Sequence, residues 1–327
     1  MSMKTVSLMT NIWGVRMKNA EYHSPVLFEE CMKALILDPK GTYADCTLGG
    51  GGHSEGILKR LALEGRLHSF DRDPEAIAYA TKRLEGFKDQ VTFHPVPFAE
   101  LGHEVGPASL DGVLYDLGIS SHQVDDDARG FTFQGSNPVD LRMDSRSDFS
   151  AQEWLRTNSL DDMARAFKEN ADLDRAYKLS ANIQSVISDL KTPILPVHLR
   201  AATEKTYPDR MRDLNSILAR IFQAIRMEVN GEMEQIRVSM RSAVEALKKG
   251  GRLVVISYHS VEDRTVKLVC SEFERTCLCP PQSPVCMCGG HHQKLKKVLR
   301  KPGLPTAEEI ARNPRARSAK LRVYERV

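Results

Sequence analysis

The sequence predicts an α/β fold in which a mostly parallel sheet, covered by helices, is interrupted by an all-helical domain. Strand and helix signals alternate up to about residue 121, as in a sheet with helices on both faces. Only helical patterns follow, and the alternation then returns. We therefore predict a discontinuous sheet domain over residues 21–125 and 216–327, with a helical insert over residues 126–215.

The first part of the sheet domain contains four predicted strands and three predicted helices. Short apolar runs predict strands at Thr42–Cys46, Arg66–Phe70, Val91–Val96 and Leu110–Tyr115. Apolar residues at helical spacing predict helices at Val26–Leu37, Ser54–Leu63 and Pro74–Leu84. Proline supports two boundaries, because Pro74 suits a first helical position and Asp38-Pro39 ends the first helix.

Helical periodicity then continues through the insert. It predicts helices at Ala151–Thr157, Leu160–Lys168, Leu173–Leu190 and Pro196–Ala202. A long amphipathic helix is predicted over Ile217–Lys249, with Asn230-Gly231 as a point of interruption and Gly250-Gly251 as its end. β-branched residues predict a strand at Arg252–Ser257, and alternation predicts a last strand at Ser318–Tyr324.

Composition and charge exclude few classes of protein. Hydrophobic residues make up 41% and charged residues 27%, as in ordinary globular domains. No segment approaches the roughly 18 continuous apolar residues that a membrane span needs. The net charge of +3 is small, but residues 291–327 hold eleven Lys or Arg against three Glu. This basic tail favours a polyanionic partner, and a solvated charged surface explains it equally well.

The cysteines and the first residues indicate a cytoplasmic protein. Seven cysteines, three of them scattered, do not form the framework of a disulfide-rich secreted domain, so a reducing compartment fits better. Residues 1–20 lack the apolar stretch of a secretory signal, and we predict a flexible extension there. The oligomeric state is left open, with a homodimer among the options.

A glycine cluster between a strand and a helix is the strongest chemical signal. Gly49–Gly52 follow the first predicted strand, where glycines let the backbone turn tightly and approach a ligand. Asp71 stands at the end of the next predicted strand, 22 residues after Gly49. A carboxylate at that place accepts hydrogen bonds from ribose hydroxyls. Together they predict a site for a nucleotide-like ligand, against the alternative of a tight turn without one.

Several ligand classes meet this pattern. A P-loop is excluded, because no Gly-Lys-Ser/Thr follows the glycines. A dinucleotide places its pyrophosphate at the helix N-terminus, whereas S-adenosylmethionine has no phosphate to place there. The polar loop Asp116–Ser121 ends the fourth predicted strand, at the crevice of such a sheet. That loop favours a methyl donor without deciding between the two.

A string of motifs connects the chain to a known family. They occur in this order: Tyr22–Val26, Asp45–Ser54, Asp71–Pro74, Asp116–Ser121, Arg129–Phe133, Pro138–Asp144, Phe222–Arg226, Gly250–Arg264 and Asn313–Arg322. With them the chain closely resembles the MraW (RsmH) family over about residues 21–327. These bacterial enzymes methylate N4 of a cytidine in the decoding region of 16S ribosomal RNA.

The resemblance implies a Rossmann-like class I methyltransferase core with S-adenosyl-L-methionine as methyl donor and the small ribosomal subunit as partner. It also implies a set of residues that bind the methyl donor. By motif these are Gly51, Gly52, His53, Asp71, Phe98, Asp116 and Gln123. The structural alternative for Phe98 is a core aromatic, and for Gln123 it is a solvated loop residue.

Two segments depart from the family pattern. Ala171–Asp174 replaces a usual Tyr-Gly-Glu-Glu run, and Ile217–Ile221 keeps only the arginine of Pro-Ala-Thr-Arg-Thr. These departures keep a second hypothesis open, a non-enzymatic ribosome-assembly factor that retains the fold and binds rRNA. A dehydrogenase explains neither the loop at Asp116–Ser121 nor the basic tail. A DNA amino-methyltransferase is disfavoured, because its Asn/Asp-Pro-Pro-aromatic motif is missing.

Asp116 and His259 are the candidate catalytic residues. Asp116 is expected at the junction of methyl donor and acceptor, and His259 is a candidate for proton transfer because histidine is the residue type whose unperturbed pKa lies near neutrality. The alternative for His259 is a structural hydrogen bond beside Glu262 or Asp263. Candidates for RNA phosphate contacts, against internal ion pairing, are Arg129, Arg142, Arg264, Arg315, Arg317 and Lys320.

The other four of the seven cysteines form a cluster, Cys277-Leu-Cys279 and Cys286-Met-Cys288. Four thiols so close in sequence suit zinc, although Cys-x-Cys is less usual than Cys-x-x-Cys. A reduced surface loop or an oxidation-sensitive hairpin explains them as well, and the sequence assigns no metal.

Overall fold

The computed structural model of the protein describes residues 25–280, 283 and 285–327. The predicted flexible extension at residues 1–20 lies outside this part of the chain, as do Tyr22, His23 and Ser24 of the first family motif.

A seven-stranded sheet forms the larger part of the fold. Its strands are β1 (Thr42–Asp45), β2 (Arg66–Phe70), β3 (Val91–His94), β4 (Leu110–Asp116), β5 (Leu247–Ser257), β6 (Leu295–Lys297) and β7 (Lys320–Arg326). Their order is β3-β2-β1-β4-β5-β7-β6. The first five run parallel, and β7 lies antiparallel between β5 and β6. The strand order reverses between β1 and β4, so a crevice opens at the carboxyl ends of these two strands.

Thirteen α-helices occur in the part of the chain that the structure describes. They are α1 (Phe28–Leu35), α2 (Gly52–Leu58), α3 (Pro74–Arg83), α4 (Leu101–Glu104), α5 (Ser121–Asp125), α6 (Ala151–Thr157), α7 (Leu160–Ala171), α8 (Ala176–Ile187), α9 (Pro196–Thr206), α10 (Leu214–Asn230), α11 (Glu232–Ala246), α12 (Ser260–Glu274) and α13 (Ala307–Arg312). Side-chain caps fix several starts, as at Asp73, Ser150 and Ser159. None of the described helices combines the length and apolarity needed to cross a bilayer.

Both faces of the sheet are buried, as a parallel sheet requires. Alternation along β4 shows this directly, because Val113 and Tyr115 pack on the face covered by α11 and α12. Leu114, between them, packs on the opposite face with residues of α1 and α2. The carboxyl end of β4 is thereby held rigidly between two hydrophobic layers.

The helical unit has an apolar core of its own. This core runs from Phe131 to Ile225 and includes residues of α6 to α10. Packing therefore places most of α10 with the helical unit, ten residues beyond the predicted boundary at 215, because Ile217, Ile221 and Ile225 face the other helices. No strand occurs among residues 126–215 of the described chain, as predicted.

The return to the sheet differs from the prediction in two ways. The long helix is interrupted at Gly231, as predicted, where φ is +60°. The prediction that Gly250-Gly251 end it is wrong: α11 ends at Ala246, and both glycines lie within β5. Leu247 already pairs with Leu110 of β4, and a register irregularity takes up the glycines. Helices α12 and α13 and the three-residue edge strand β6 were not predicted.

Candidate active site

A cavity of about 440 Å³ opens at the carboxyl ends of the central strands, in the crevice between β1 and β4. Among its lining residues are Gly49, Gly50, Gly52, His53, Asp71, Phe98, Asp116, Gln123, Arg226, Tyr258, His259, Glu262 and Arg315. Six of the seven residues predicted to bind the methyl donor line this one cavity, together with both candidate catalytic residues. Gly51 is the exception.

The turn from β1 to α2 brings bare backbone to the cavity. Gly49 has a φ of +48°, which favours glycine, and a Cβ at Gly52 would lie 2.6 Å from Cγ of Pro25. Gly51 has a φ of +75°, and its Cα faces Ala80 of α3 instead of the cavity. Gly51 thus shapes the turn, while Gly49, Gly50 and Gly52 line the space where a ligand would lie.

Asp71 is fixed by two backbone groups at the end of β2. The N–H of Gly49 donates to Oδ2 at 2.8 Å, and the N–H of Asp73 donates to Oδ1 at 2.9 Å. Burial raises the pKa of Asp71 to about 6, against the lowering effect of these hydrogen bonds. The carboxylate is therefore ionised at neutral pH, with lone pairs left to accept hydrogen bonds from hydroxyl groups.

Asp116 is held from three sides at the end of β4. The hydroxyl of Tyr258 donates to Oδ1 at 2.7 Å, and Nδ1 of His53 lies 3.4 Å from Oδ2. The backbone N–H of Asp116 donates to Oγ1 of Thr47 at 2.6 Å. These contacts orient the carboxylate toward the cavity and leave it exposed there by about a quarter of its surface, 24%.

His53 is the positively charged partner of Asp116. Its Nε2 lies 3.2 Å from the carbonyl oxygen of Val26, and its Nδ1 faces the carboxylate, so both ring nitrogens face acceptors. Burial lowers the pKa of His53, but hydrogen bonds to Asp116 and Cys31 outweigh it and hold the pKa well above 6.5. A doubly protonated ring satisfies both acceptors, which makes His53 a buried counter-ion.

Phe98 and Gln123 both line the cavity. Phe98 is half-buried and packs edge-on against Tyr115, with ring centroids 5.8 Å apart. Gln123 is buried, which excludes the solvated-loop alternative. Its Nε2 donates to Asp73 at 3.0 Å, and its Oε1 accepts from the N–H of Ser120 at 3.1 Å. Gln123 therefore fixes the loop after β4 to the start of α3.

Sequence comparison with known proteins identifies the family of the chain. The sequence model of the MraW methylase family matches residues 20–327 of this chain. The chain belongs to the MraW methylase family. A relative from Trichlorobacter lovleyi is 42% identical over 313 residues, 94% of this chain and 98% of its own length. One from Fusobacterium nucleatum is 39% identical over 312 residues, with the same two shares. Both are named ribosomal RNA small subunit methyltransferase H.

The second predicted catalytic residue of this MraW-family chain, His259, is engaged in a helix cap. The N–H of Glu262 donates to its Nδ1 at 3.3 Å, and its Nε2 lies 2.8 Å from Oε1 of Glu262. The hydrogen bond from the Glu262 N–H is the structural alternative weighed for His259, whereas Nε2 and Oε1 lie close together without hydrogen-bond geometry. With Nδ1 accepting and Nε2 facing a carboxylate, neither ring nitrogen offers a free lone pair in this conformation. Its proton-transfer role stays a prediction that requires the ring to leave the cap.

Sequence reasoning did not assign several charged or polar residues to the cavity, among them Tyr258, Arg226, Glu232 and Glu262. Tyr258 follows β5 directly, so the rule that led to Asp71 and Asp116, a polar side chain at a strand end, also applies to it. Arg226, the last residue of the motif Phe222–Arg226, pairs with Glu232 through two contacts of 2.7 and 2.9 Å, and helical periodicity does not indicate this pairing. Glu262 is fully buried 3.9 Å from Arg226.

The candidate RNA contacts divide into internal and external groups. Arg129 is buried against Asp73 and Glu75, so internal pairing explains it. Arg142 pairs with Asp140 at 2.7 Å. Arg264 pairs with Asp172 at 3.3 Å, and Lys320 lies 3.7 Å from Asp263. Arg315 and Arg317 are exposed, and within the described residues Arg317 has no ion pair closer than 4 Å. Arg315 lies at the cavity and pairs with Asp125 at 2.7 Å.

Many of the cations of the basic tail, residues 291–327, form ion pairs with carboxylates of the same protein. Its paired members are Lys294, Lys296, Lys297, Arg315, Lys320 and Arg322. Six of the eleven cations are therefore already balanced by carboxylates, and the tail's excess charge overstates its attraction for a polyanion.

The two departures from the family pattern lie in contact with one another. Nε of Arg220 donates to the carbonyl oxygen of Ala171 at 2.7 Å. Asp172 then reaches Arg264 at the start of α12, 3.3 Å away. The changed segments therefore form one continuous patch between the helical unit and the sheet, outside the residues that line the cavity.

Proposed function

We propose that this protein transfers a methyl group from S-adenosyl-L-methionine to N4 of a cytidine in the decoding region of 16S ribosomal RNA. The observation that carries the proposal is the placement of two fixed carboxylates, Asp71 and Asp116, around a glycine turn in one cavity of an MraW-family chain. The names of the relatives supply the small-subunit rRNA as substrate.

The residues present fit adenosylmethionine. Asp71 can accept both ribose hydroxyls while the N–H groups of Gly49 and Asp73 hold it. Phe98 offers an aromatic face for adenine, and Asp116 and Gln123 line the same cavity as the remaining predicted contacts of the donor. The backbone of Gly49, Gly50 and Gly52 lines the cavity, where a ligand can approach it closely.

When bound, adenosylmethionine supplies a methyl group that the adjacent sulfonium makes electrophilic. The protein's task is to align the cytosine amine, a weak nucleophile, and to stabilise the charge that develops on it. Asp116 stands where this charge appears, and its own orientation is fixed by Tyr258 and His53. The buried imidazolium of His53 lies 3.4 Å from the carboxylate and balances its negative charge.

The target base must leave its stack to reach the cavity. Arg315 is exposed beside the opening and suits a flanking phosphate. The non-enzymatic assembly factor is not supported, because the chain belongs to a methylase family and six of the seven residues predicted to bind the methyl donor line one cavity. We place the activity in the cytoplasm, where ribosomal subunits are present and thiols stay reduced.

A transfer assay tests the proposal. Purified protein is incubated with labelled adenosylmethionine and small subunits that lack the modification, and the labelled nucleoside is mapped. We expect label on N4 of one cytidine of 16S rRNA and none with an Asp116→Ala variant. Absence of label, with no binding of adenosylmethionine or its demethylated product by calorimetry, would refute the proposal. Label on another base atom would refute the N4 assignment alone.

A further inference from the structure

The four clustered cysteines converge on one point in the segment between α12 and β6. Their Sγ atoms all lie within 4.8 Å of one another, although the chain holds them in two separate pairs, Cys277 with Cys279 and Cys286 with Cys288. Sγ of Cys277 lies 3.5 Å from that of Cys286, and Cys288 lies 3.6 Å from both. Thiols from two pairs thus form a compact group that the sequence spacing alone did not establish.

These distances fit four thiolates around one ion. Zinc–sulfur bonds of about 2.3 Å in a tetrahedron place neighbouring sulfurs about 3.8 Å apart. Disulfide sulfurs would lie about 2.05 Å apart, well inside the separations found between Cys277, Cys286 and Cys288. An iron–sulfur cluster interposes several atoms between its ligands and needs a wider cage.

Backbone amides from both pairs add an independent observation. The N–H of Leu278, between the first two cysteines, donates to Sγ of Cys288 at 3.3 Å. The N–H of Met287, between the last two, donates to Sγ of Cys279 at 3.2 Å. Each pair thus supports a sulfur of the other, and such hydrogen bonds stabilise metal-bound thiolates.

The segment has little else to hold it. No described residue from 275 to 293 is buried, and Leu278, Val285 and Met287 expose 58%, 70% and 91% of their surface. Two backbone hydrogen bonds close its base, from His292 to Thr276 and from Lys294 to Phe273. Without apolar burial, a cross-link must supply the free energy that orders the chain beyond this base.

We propose that Cys277, Cys279, Cys286 and Cys288 bind one structural Zn²⁺. Four protein ligands complete the tetrahedron and leave no open position for a substrate, so the ion is structural and not catalytic. It orders the exposed segment between α12 and β6 and fixes the entry to β6. This inference does not depend on the methyl-transfer proposal.

Metal analysis of the full chain, purified without a histidine tag under reducing conditions, tests the site. The variant is Cys277→Ser/Cys286→Ser, and the matched control is Met287→Ser, an exposed non-ligand of the same segment. We expect about one zinc per chain in the parent and the control, and less than about a tenth of that in the double variant. Hydrogen exchange over residues 275–293 should be at least about tenfold faster in the double variant, with unchanged circular dichroism.

The result is decisive in either direction. Zinc content no higher in the parent than in the double variant would overturn the proposal, and so would iron in its place or two disulfides without metal. Equal zinc loss in Met287→Ser would overturn the ligand assignment.

Discussion

The crevice around Asp116 and the helical unit bury their side chains by opposite rules. The helical unit fills its interior from Phe131 to Ile225 with apolar groups, and no charged residue of that range is buried in the described chain. Around the crevice, by contrast, charged side chains are buried beside charged partners: Arg129 with Asp73, Arg226 with Glu232 and Glu262, and His53 with Asp116. Apolar burial tolerates substitution by degrees, whereas each member of a buried charge network depends on its partner.

The largest effect is expected from removal of the carboxylate of Asp116, which tests whether the crevice depends on its paired charges. Asp116→Ala should lower the rate of methyl transfer by about 100-fold to 1000-fold, because it deletes the anion at the reacting group. Tyr258→Phe, which removes only one hydrogen bond to that anion, should lower the rate by about tenfold or less. Single-turnover rates measure both. If the two variants were equally impaired, the charge itself would not be the important feature.

A substitution that creates a cavity in the core of the helical unit should lower the stability of the protein without changing its binding of adenosylmethionine. Leu199 is fully buried in α9, so Leu199→Ala should lower the free energy of unfolding by about 2–5 kcal/mol. Val197→Ala, on the exposed side of the same helix, should change it by about 0.5 kcal/mol or less. Urea unfolding gives these values, and calorimetry should find unchanged affinity for adenosylmethionine. Altered affinity in Leu199→Ala would show that the two regions are coupled.

Asp71 should link pH to binding and to stability with opposite signs. Burial raises its pKa from 3.8 to about 6, so the folded protein holds a proton that the unfolded chain releases between these values. Stability from this group therefore rises as the pH falls through about 6. Affinity for adenosylmethionine should instead fall, by about tenfold at one unit below the pKa, because a protonated carboxyl accepts ribose hydroxyls poorly.

Asp71→Asn is the matched variant for this pair of measurements. It should remove both pH dependences and leave a uniformly weaker affinity. A parent protein whose affinity stays constant down to pH 5 would contradict the ribose assignment.

The smallest expected effect is at the rim of the crevice. Arg315→Glu should weaken binding of the small subunit several-fold. It should also reduce the slope of log affinity against log salt concentration by about the amount that one phosphate contact contributes. Lys40→Glu changes an exposed cation at the amino-terminal side of the sheet, away from the cavity, and should alter neither. Fluorescence titration at several salt concentrations distinguishes them, and an unchanged slope for Arg315→Glu would remove this residue from the interface.

Much of the sheet was predictable, because short buried strands and their polar ends are marked locally. Asp71 and Asp116 were placed by the rule that parallel strands end at one edge. The irregular part of β5 was not, since Gly250-Gly251 after a helix resemble a stop signal, and only the pairing of β4 with Leu247 and Arg252 on either side of them reveals the strand. Pairing among His53, Asp116 and Tyr258 joins residues far apart in sequence, so no local pattern indicates it. Arg129 looked available for RNA because burial of a cation depends on distant acids.

The position of β7 has a consequence for how the protein is made. β7 pairs with β5 from Arg252–Glu325 to Ser257–Lys320, so it covers the outer edge of the strand that leads to Tyr258. During synthesis that edge stays bare until residues 320–326 have emerged, long after the glycine turn is complete. An unpaired β-branched edge invites intermolecular pairing. Nascent chains halted before residue 320 should therefore aggregate or recruit chaperones, and the strand that leads to Tyr258 is covered only after β7 has emerged.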